Sequence, residues 1–188
     1  MTAGYRPSRR DRFRLRARRA LLDRLRSLVE PEGTRLLDLG GGTGAATATF
    51  GRGARELVVL EPDGRKVSRG RAAAAPVTFV SGVAEAIPYG EGRFERVVSL
   101  MSFHHFSEAD SALREAARVL APGGRLVVYD FDRSTLSGRW VAFFEGRLRR
   151  HSARFVTGVE LERQVRAAGF RGARREPFGS GTFVVAER

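Results

Sequence analysis

The chain has 188 residues, with 34 basic side chains against 21 acidic ones and a formal net charge of +13, a length that suits one domain with its own core. The absence of Cys excludes disulfides, thiolate metal sites and Cys nucleophiles, and the single Lys, Lys66, excludes any mechanism that needs two. No apolar run approaches the ~20 residues of a membrane span and the start has no apolar signal core, so a cytoplasmic protein without a transmembrane segment is expected.

The charge is unevenly spread. Residues 1–26 hold ten Arg and two acids, residues 139–175 hold ten Arg and three, and the middle is close to neutral. Such flanks suit nucleic acid, an anionic membrane surface or a negatively charged substrate. No interleaved aromatic RNA-binding signature accompanies them, and the solvated faces of two helices account for them equally well.

In chain order, apolar positions at Phe13, Ala17, Leu21, Leu25 and Leu28 predict an amphipathic helix that Pro31 ends. Arg35–Leu39 reads as a strand and Thr43–Phe50 as a helix. Leu57–Glu61 is a second strand, followed by a helix over Asp63–Ala73 with Asp63 as its cap. Val77–Val80 and Arg96–Leu100 are further strands. Ser107–Leu120 is a helix, with Ser107 or Asp110 near its start, and Ala121-Pro-Gly-Gly124 turns the chain into a fifth strand, Arg125–Phe131. Strands joined by helices of this length imply a parallel sheet with crossovers. Gly158–Ala168 is a helix, and Phe170–Phe178 and Thr182–Glu187 are two strands joined by so short a loop that they must be antiparallel. The whole chain, 1–188, is expected to form one domain, with the Arg-rich helix inside 1–30 and an acceptor-site cap at 133–157.

The sharpest motif is Asp38-Leu39-Gly40-Gly41-Gly42-Thr43-Gly44, between the first strand and its helix. Glycines there let the backbone bend and a ligand come close, and the helix start offers free N–H groups. With Ala45 in the last place a G-x-G-x-x-A dinucleotide reading stays open. Two features point away from it. Asp38 would repel a pyrophosphate but could orient the loop and accept from an amino-acid ammonium group, and Gly44 follows Gly42 by two residues, not three. Glu61, about 20 residues on, is placed to accept ribose hydroxyls, which every adenosine cofactor with a free ribose shares.

In this order and spacing, the stretch Leu37–Gly44, Glu61-Pro62-Asp63, Gly82–Tyr89, Phe94–Ser99, Phe103-His104-His105-Phe106 and Leu113–Leu126 resembles the class I S-adenosylmethionine-dependent methyltransferases, in particular the ubiquinone/menaquinone-biosynthesis and small-molecule branch. The resemblance implies a Rossmann-like α/β fold: a seven-stranded, mostly parallel sheet, its last strand antiparallel, with helices on both faces. It implies that S-adenosylmethionine is the cofactor. Asp38, Gly40, Gly41, Gly42 and Gly44 would wrap its methionine part, Glu61 would bind the ribose, and Pro62 would pack on the adenine. Val83, Ala84 and Glu85 would meet the adenine edge, and Leu100 and Met101 would line the reactive methyl group. Val83 stands where the family usually has an Asp that accepts from the adenine amino group. Glu95 replaces a usual Asp.

Methyl transfer from a sulfonium needs mainly alignment, although the acceptor can need a base. No Asn-Pro-Pro-Tyr-like motif follows the fourth strand, which argues against exocyclic-amine methylation of nucleobases or glutamine. What remains is O-, C- or N-methylation of a small molecule, with an aromatic or quinol-like acceptor favoured and RNA less so. His105 and His104 are the candidate catalytic residues, because His titrates near neutrality, and loop packing is their alternative role. Tyr89 and Tyr129 are expected in the core, and Asp130 and Asp132 as loop caps. Leu136, Trp140, Val141, Phe143, Phe144 and Leu148, interleaved with Arg, read as either a lid or a packing helix, and a basic amphipathic helix could rest on a membrane surface. No metal site is expected. The rival readings are an NAD(P)-dependent oxidoreductase and a non-catalytic S-adenosylmethionine-binding module that meets RNA through the Arg-rich flanks.

Overall fold

The computed structural model describes residues 9–73, 76–136, 138–140 and 154–188, with side chains from Ala17 onward. The chain runs α1 (Arg9–Val29), β1 (Arg35–Leu39), α2 (Ala45–Phe50), β2 (Glu56–Leu60), α3 (Gly64–Ala72), β3 (Thr78–Val80) and β4 (Phe94–Leu100). A 3-10 turn (Phe103–His105), α4 (Ala109–Val119), β5 (Leu120–Phe131), α5 (Gly158–Ala167), β6 (Arg171–Phe178) and β7 (Gly181–Glu187) follow. The strands form one seven-stranded sheet in the order β3-β2-β1-β4-β5-β7-β6. Neighbours from β3 to β5 are parallel, and β7 is antiparallel to both β5 and β6. The expected antiparallel last strand is present, but it lies inside the sheet and β6 takes the edge.

The alternation of β-strand side chains divides the core in two. Leu37, Leu39, Val97 and Leu126 face α4 and α5, where Leu113, Ala116, Leu161 and Val165 cover them. Leu36, Val98, Val127 and Phe183 face the other way, under Leu21, Leu25, Leu28 and Val29 of α1. The central strands are therefore apolar on both faces, as a sheet covered by helices requires.

Several element ends test the sequence expectation. The Asp63 carboxylate does cap α3, accepting from Arg65 N at 2.9 Å. α4 starts at Ala109, two residues later than expected, with Asp110 in its first turn as expected and Glu108 before it making no side-chain cap. Ala121–Gly124 bulges inside the entry of β5, because Phe94 pairs with Leu120 and Arg96 already pairs with Arg125. The carboxyl end of α1 is capped from the sheet: Arg125 donates to Leu28 O at 2.8 Å and Arg96 to Val29 O. That contact spans 67 residues or more and has no local sequence signal.

Candidate functional site

The sheet reverses its strand order at β1, whose neighbours are β2 and β4. Open α/β sheets hold ligands at such a switch point, outside the carboxyl ends of the strands. A cleft of about 740 Å³ opens there, within the usual range for a small-molecule site.

Its first wall starts at the glycine loop. Gly40 has φ +73° and Gly44 φ +71°, and an added Cβ would lie 2.6 Å from Ser102 Cβ at the first and 2.7 Å from Val77 Cγ2 at the second, so both need glycine for conformation and for space. Gly42, also left-handed, is open on its Cβ side, where only Lys66 Cδ stands at 3.9 Å. Asp38 is buried beneath the loop. Its Oδ2 accepts from Thr47 Oγ1 at 2.5 Å, and Oδ1 has no hydrogen-bond partner among the described residues. Burial pushes its carboxyl up to about 7; the Thr47 hydrogen bond works against the rise and the charge of Glu61 adds to it.

Glu61, 2% exposed, closes this wall. Its Oε2 accepts from Gly42 N at 3.0 Å, and its Oε1 from Asp63 N at 3.0 Å and from Lys66 Nζ at 3.4 Å. Glu61 thus ties the glycine loop to the start of α3 and still faces the cleft. Gly40 and Pro62 line the same side, as do Val83, Ala84 and Glu85 beyond β3. Val83 is 46% exposed and offers no acceptor; the acid lining that stretch is Glu85.

The opposite wall is built from rings. Met101, with φ +51°, directly follows β4 and donates its N–H to Tyr129 O at 2.8 Å. Beyond it His104, His105, Phe106 and Phe131 face the cleft. His104 is buried, held by Asp130 at two points: Nδ1 lies 2.7 Å from Oδ1 and the backbone N 2.9 Å from Oδ2. Its ring stacks on Phe155 at 4.3 Å with 17° between planes. His105 is exposed, its ring centroid 4.0 Å from that of His104. Among the described residues no group of three or more His, Asp or Glu is arranged to hold a metal.

Of the residues singled out in the sequence, Gly40, Glu61, Pro62, Val83, Ala84, Glu85, Met101, His104 and His105 meet in this cleft. Asp38 lies beneath it, and Gly41, Gly42 and Gly44 form the loop without lining the cavity. Leu100 is a correction: its side chain packs into the cluster under α1, because alternation along β4 turns it away. Tyr89 and Tyr129 are core residues, Tyr89 edge-on to Phe94 at 4.9 Å and Tyr129 donating to Phe178 O at 3.0 Å. Asp132 caps a turn, accepting from Ser134 N at 2.8 Å, whereas Asp130 grips the histidine turn. Sequence reasoning missed Lys66, Phe106, Phe131 and Phe155. Lys66 follows Glu61 by five residues, and its place shows only once the cap of α3 is known; the Phe residues carried no signal that separated them from core.

The comparisons agree with this geometry. Residues 37–128 match the family model of a methyltransferase domain. An uncharacterized methyltransferase of Synechocystis is 28% identical over 167 residues, covering 87% of this chain and 79% of the relative. The ubiquinone/menaquinone biosynthesis C-methyltransferase UbiE of Yersinia enterocolitica is 37% identical over 113 residues, covering 55% of this chain; the chain spans 45% of that relative's length. A solved SAM-dependent methyltransferase of Thermotoga maritima, described as a possible histamine N-methyltransferase, shares the fold with TM-score 0.78 at 22% identity and 92% coverage of each chain. Fold and cleft define a Rossmann-like domain for a nucleoside cofactor. The chain belongs to the class I S-adenosylmethionine-dependent methyltransferases, whose methyl donor is S-adenosylmethionine.

Proposed function

We propose that the chain transfers the methyl group of S-adenosylmethionine to a planar small molecule that carries an acidic hydroxyl, such as a phenol or a quinol. The observation that carries this reading is the division of the cleft into a wall of glycine backbone and carboxylates and a wall of rings.

The first wall suits the cofactor. Asp38 Oδ1 is a buried acceptor with no hydrogen-bond partner among the described residues, which suits an ammonium group or a water bound to it. Glu61 would accept the ribose hydroxyls, Pro62 would pack on the adenine, and Ala84 and Glu85 would meet its edge. A dinucleotide would bring its pyrophosphate against Asp38, which favours a sulfonium amino acid over NAD(P). The bound cofactor supplies an electrophilic methyl with a neutral thioether leaving group. The protein's task is alignment and removal of a proton.

The second wall suits a ring. Phe106 and Phe131 offer flat apolar contact, and His105 stands exposed in the cleft as the base for an acceptor hydroxyl. His104, gripped by Asp130, fixes the turn that presents it. The 133–157 segment would cap this half. Its start and end are tied at one point: Asp132 accepts from Ser134 N and, at 3.0 Å, from Gly158 N. Arg154 N donates to His104 O at 2.9 Å. Leu136 and Trp140 of the apolar stripe are exposed; Val141, Phe143, Phe144 and Leu148 lie outside the described residues. No described helix is long and apolar enough to cross a membrane.

Calorimetric titration with S-adenosylhomocysteine and with NADP, followed by methyl transfer to 1,4-naphthoquinol, phenols and amines, tests this reading. Saturable binding of the thioether nucleoside alone, with transfer to a hydroxyl-bearing ring, is expected. Binding of NADP instead, or transfer confined to amines, contradicts it.

A further inference from the structure

α1 carries nine Arg and two Asp in 21 residues, about 30 Å of helix. It buries Leu21, Leu25 and Leu28 on the sheet, and between it and the end of α2 lies a second concavity of about 480 Å³. Arg18, Arg19, Arg26 and Arg52 line it, with Asp23 the one acid on its wall. Arg26 is fixed at its floor, donating to Phe50 O at 3.1 Å and to Arg52 O and pairing with Glu32. Arg18, Arg19 and Arg52 are exposed, and Arg18 and Arg52 have no carboxylate partner among the described residues. Elsewhere on α1, Arg24 grips Glu176 on β6, and Arg174 stands 4.0 Å from the same carboxylate.

We propose that this groove binds the phosphate backbone of a nucleic acid, independently of the cofactor cleft. A helix of Arg some 30 Å long matches a chain of phosphates better than a single anion. A membrane surface fits less well, because docking there uses apolar side chains among the basic ones. The large apolar side chains exposed among the described residues are Val83, Met101, Leu136, Trp140 and Val159, none of them on Ala17–Val29 of α1 or on α2. No aromatic ring lines the groove, so contact is to phosphate and carries no base sequence.

Fluorescence anisotropy of labelled 20-mer oligouridylate, measured from 50 to 300 mM KCl, tests the proposal. Expected is binding whose logarithm falls linearly with log salt. Arg18→Gln/Arg19→Gln/Arg52→Gln should weaken it at least about 10-fold at 100 mM KCl. Its salt slope should fall by ~2, at ~0.7 per lost phosphate contact. Arg65→Gln/Arg69→Gln/Arg114→Gln removes as much charge from exposed positions elsewhere and should change affinity less than about 3-fold; circular dichroism checks both folds. S-adenosylhomocysteine should not compete. No binding at 50 mM KCl, equal loss in both variants, competition by S-adenosylhomocysteine, or binding to phosphatidylglycerol vesicles without binding to RNA would each overturn the proposal.

Discussion

The two walls of the cleft are made differently. The wall proposed for the cofactor is built from contiguous pieces: a strand, a glycine loop and a carboxylate at the next strand end, joined by Glu61 to Gly42 N and Asp63 N. The wall proposed for the acceptor is assembled from Met101, a 3-10 turn, the end of β5 and the segment after 153, held together by Asp130, His104 and Phe155. Backbone geometry constrains sequence tightly, because a left-handed φ or a missing Cβ admits one residue type. A ring wall asks only for flat apolar side chains, which many sequences supply. The same division explains how one scaffold keeps its cofactor while its acceptor changes.

The difference predicts that substitutions in the first wall act on cofactor binding, whereas those in the second act on turnover. The largest effect is expected for Glu61→Ala. Two charge-assisted hydrogen bonds to a ribose, at about 1.5–3 kcal/mol each, correspond to a loss of at least ~100-fold in S-adenosylhomocysteine affinity by calorimetry. Retained affinity would remove Glu61 from the site. Next is His105→Ala, for which kcat should fall ~10²–10³-fold while the dissociation constant of S-adenosylhomocysteine stays within about 2-fold. An unchanged kcat would return His105 to loop packing.

Asp38 links binding to pH. Its carboxyl sits at about 7 in the folded chain, above the ~3.9 of an unfolded Asp. Between those values the native state binds the extra proton, so its contribution to stability is complete below about pH 4 and is lost as pH rises to about 7. Denaturant melts of Asp38→Asn should lack that fall. An ammonium at Asp38 favours the ionised form, so binding of S-adenosylhomocysteine below pH 7 should release a proton, read by calorimetry in buffers of different ionisation heat. Proton uptake would contradict the contact. The smallest effect is expected for Phe131→Leu, an acceptor KM raised about 2- to 10-fold with cofactor affinity unchanged, since one ring contact contributes ~0.5–1.5 kcal/mol.

How much could be read from the sequence follows the same line. β1 was legible to the residue, from four buried apolar or loop-orienting positions ahead of a glycine run, and Asp63 as a cap needed only its neighbours. The entry of β5 was not, because its bulge is set by pairing with Phe94 and Arg96. Leu100 was misplaced because strand alternation, not proximity to the cleft, decides where a side chain points. Phe131 and Phe155 had no role assigned from the sequence, and Asp130 was expected as a loop cap; only the fold brings them to His104. The pairing of Arg24 with Glu176, 152 residues apart, likewise has no trace in local composition.

A crystal structure of the chain grown with S-adenosylhomocysteine is the most direct test. The account predicts the ribose hydroxyls on Glu61, the amino group within hydrogen-bond reach of Asp38 directly or through one water, and the sulfur turned toward Met101 and His105. A ligand seated away from the glycine loop, or with its ribose turned from Glu61, would contradict it.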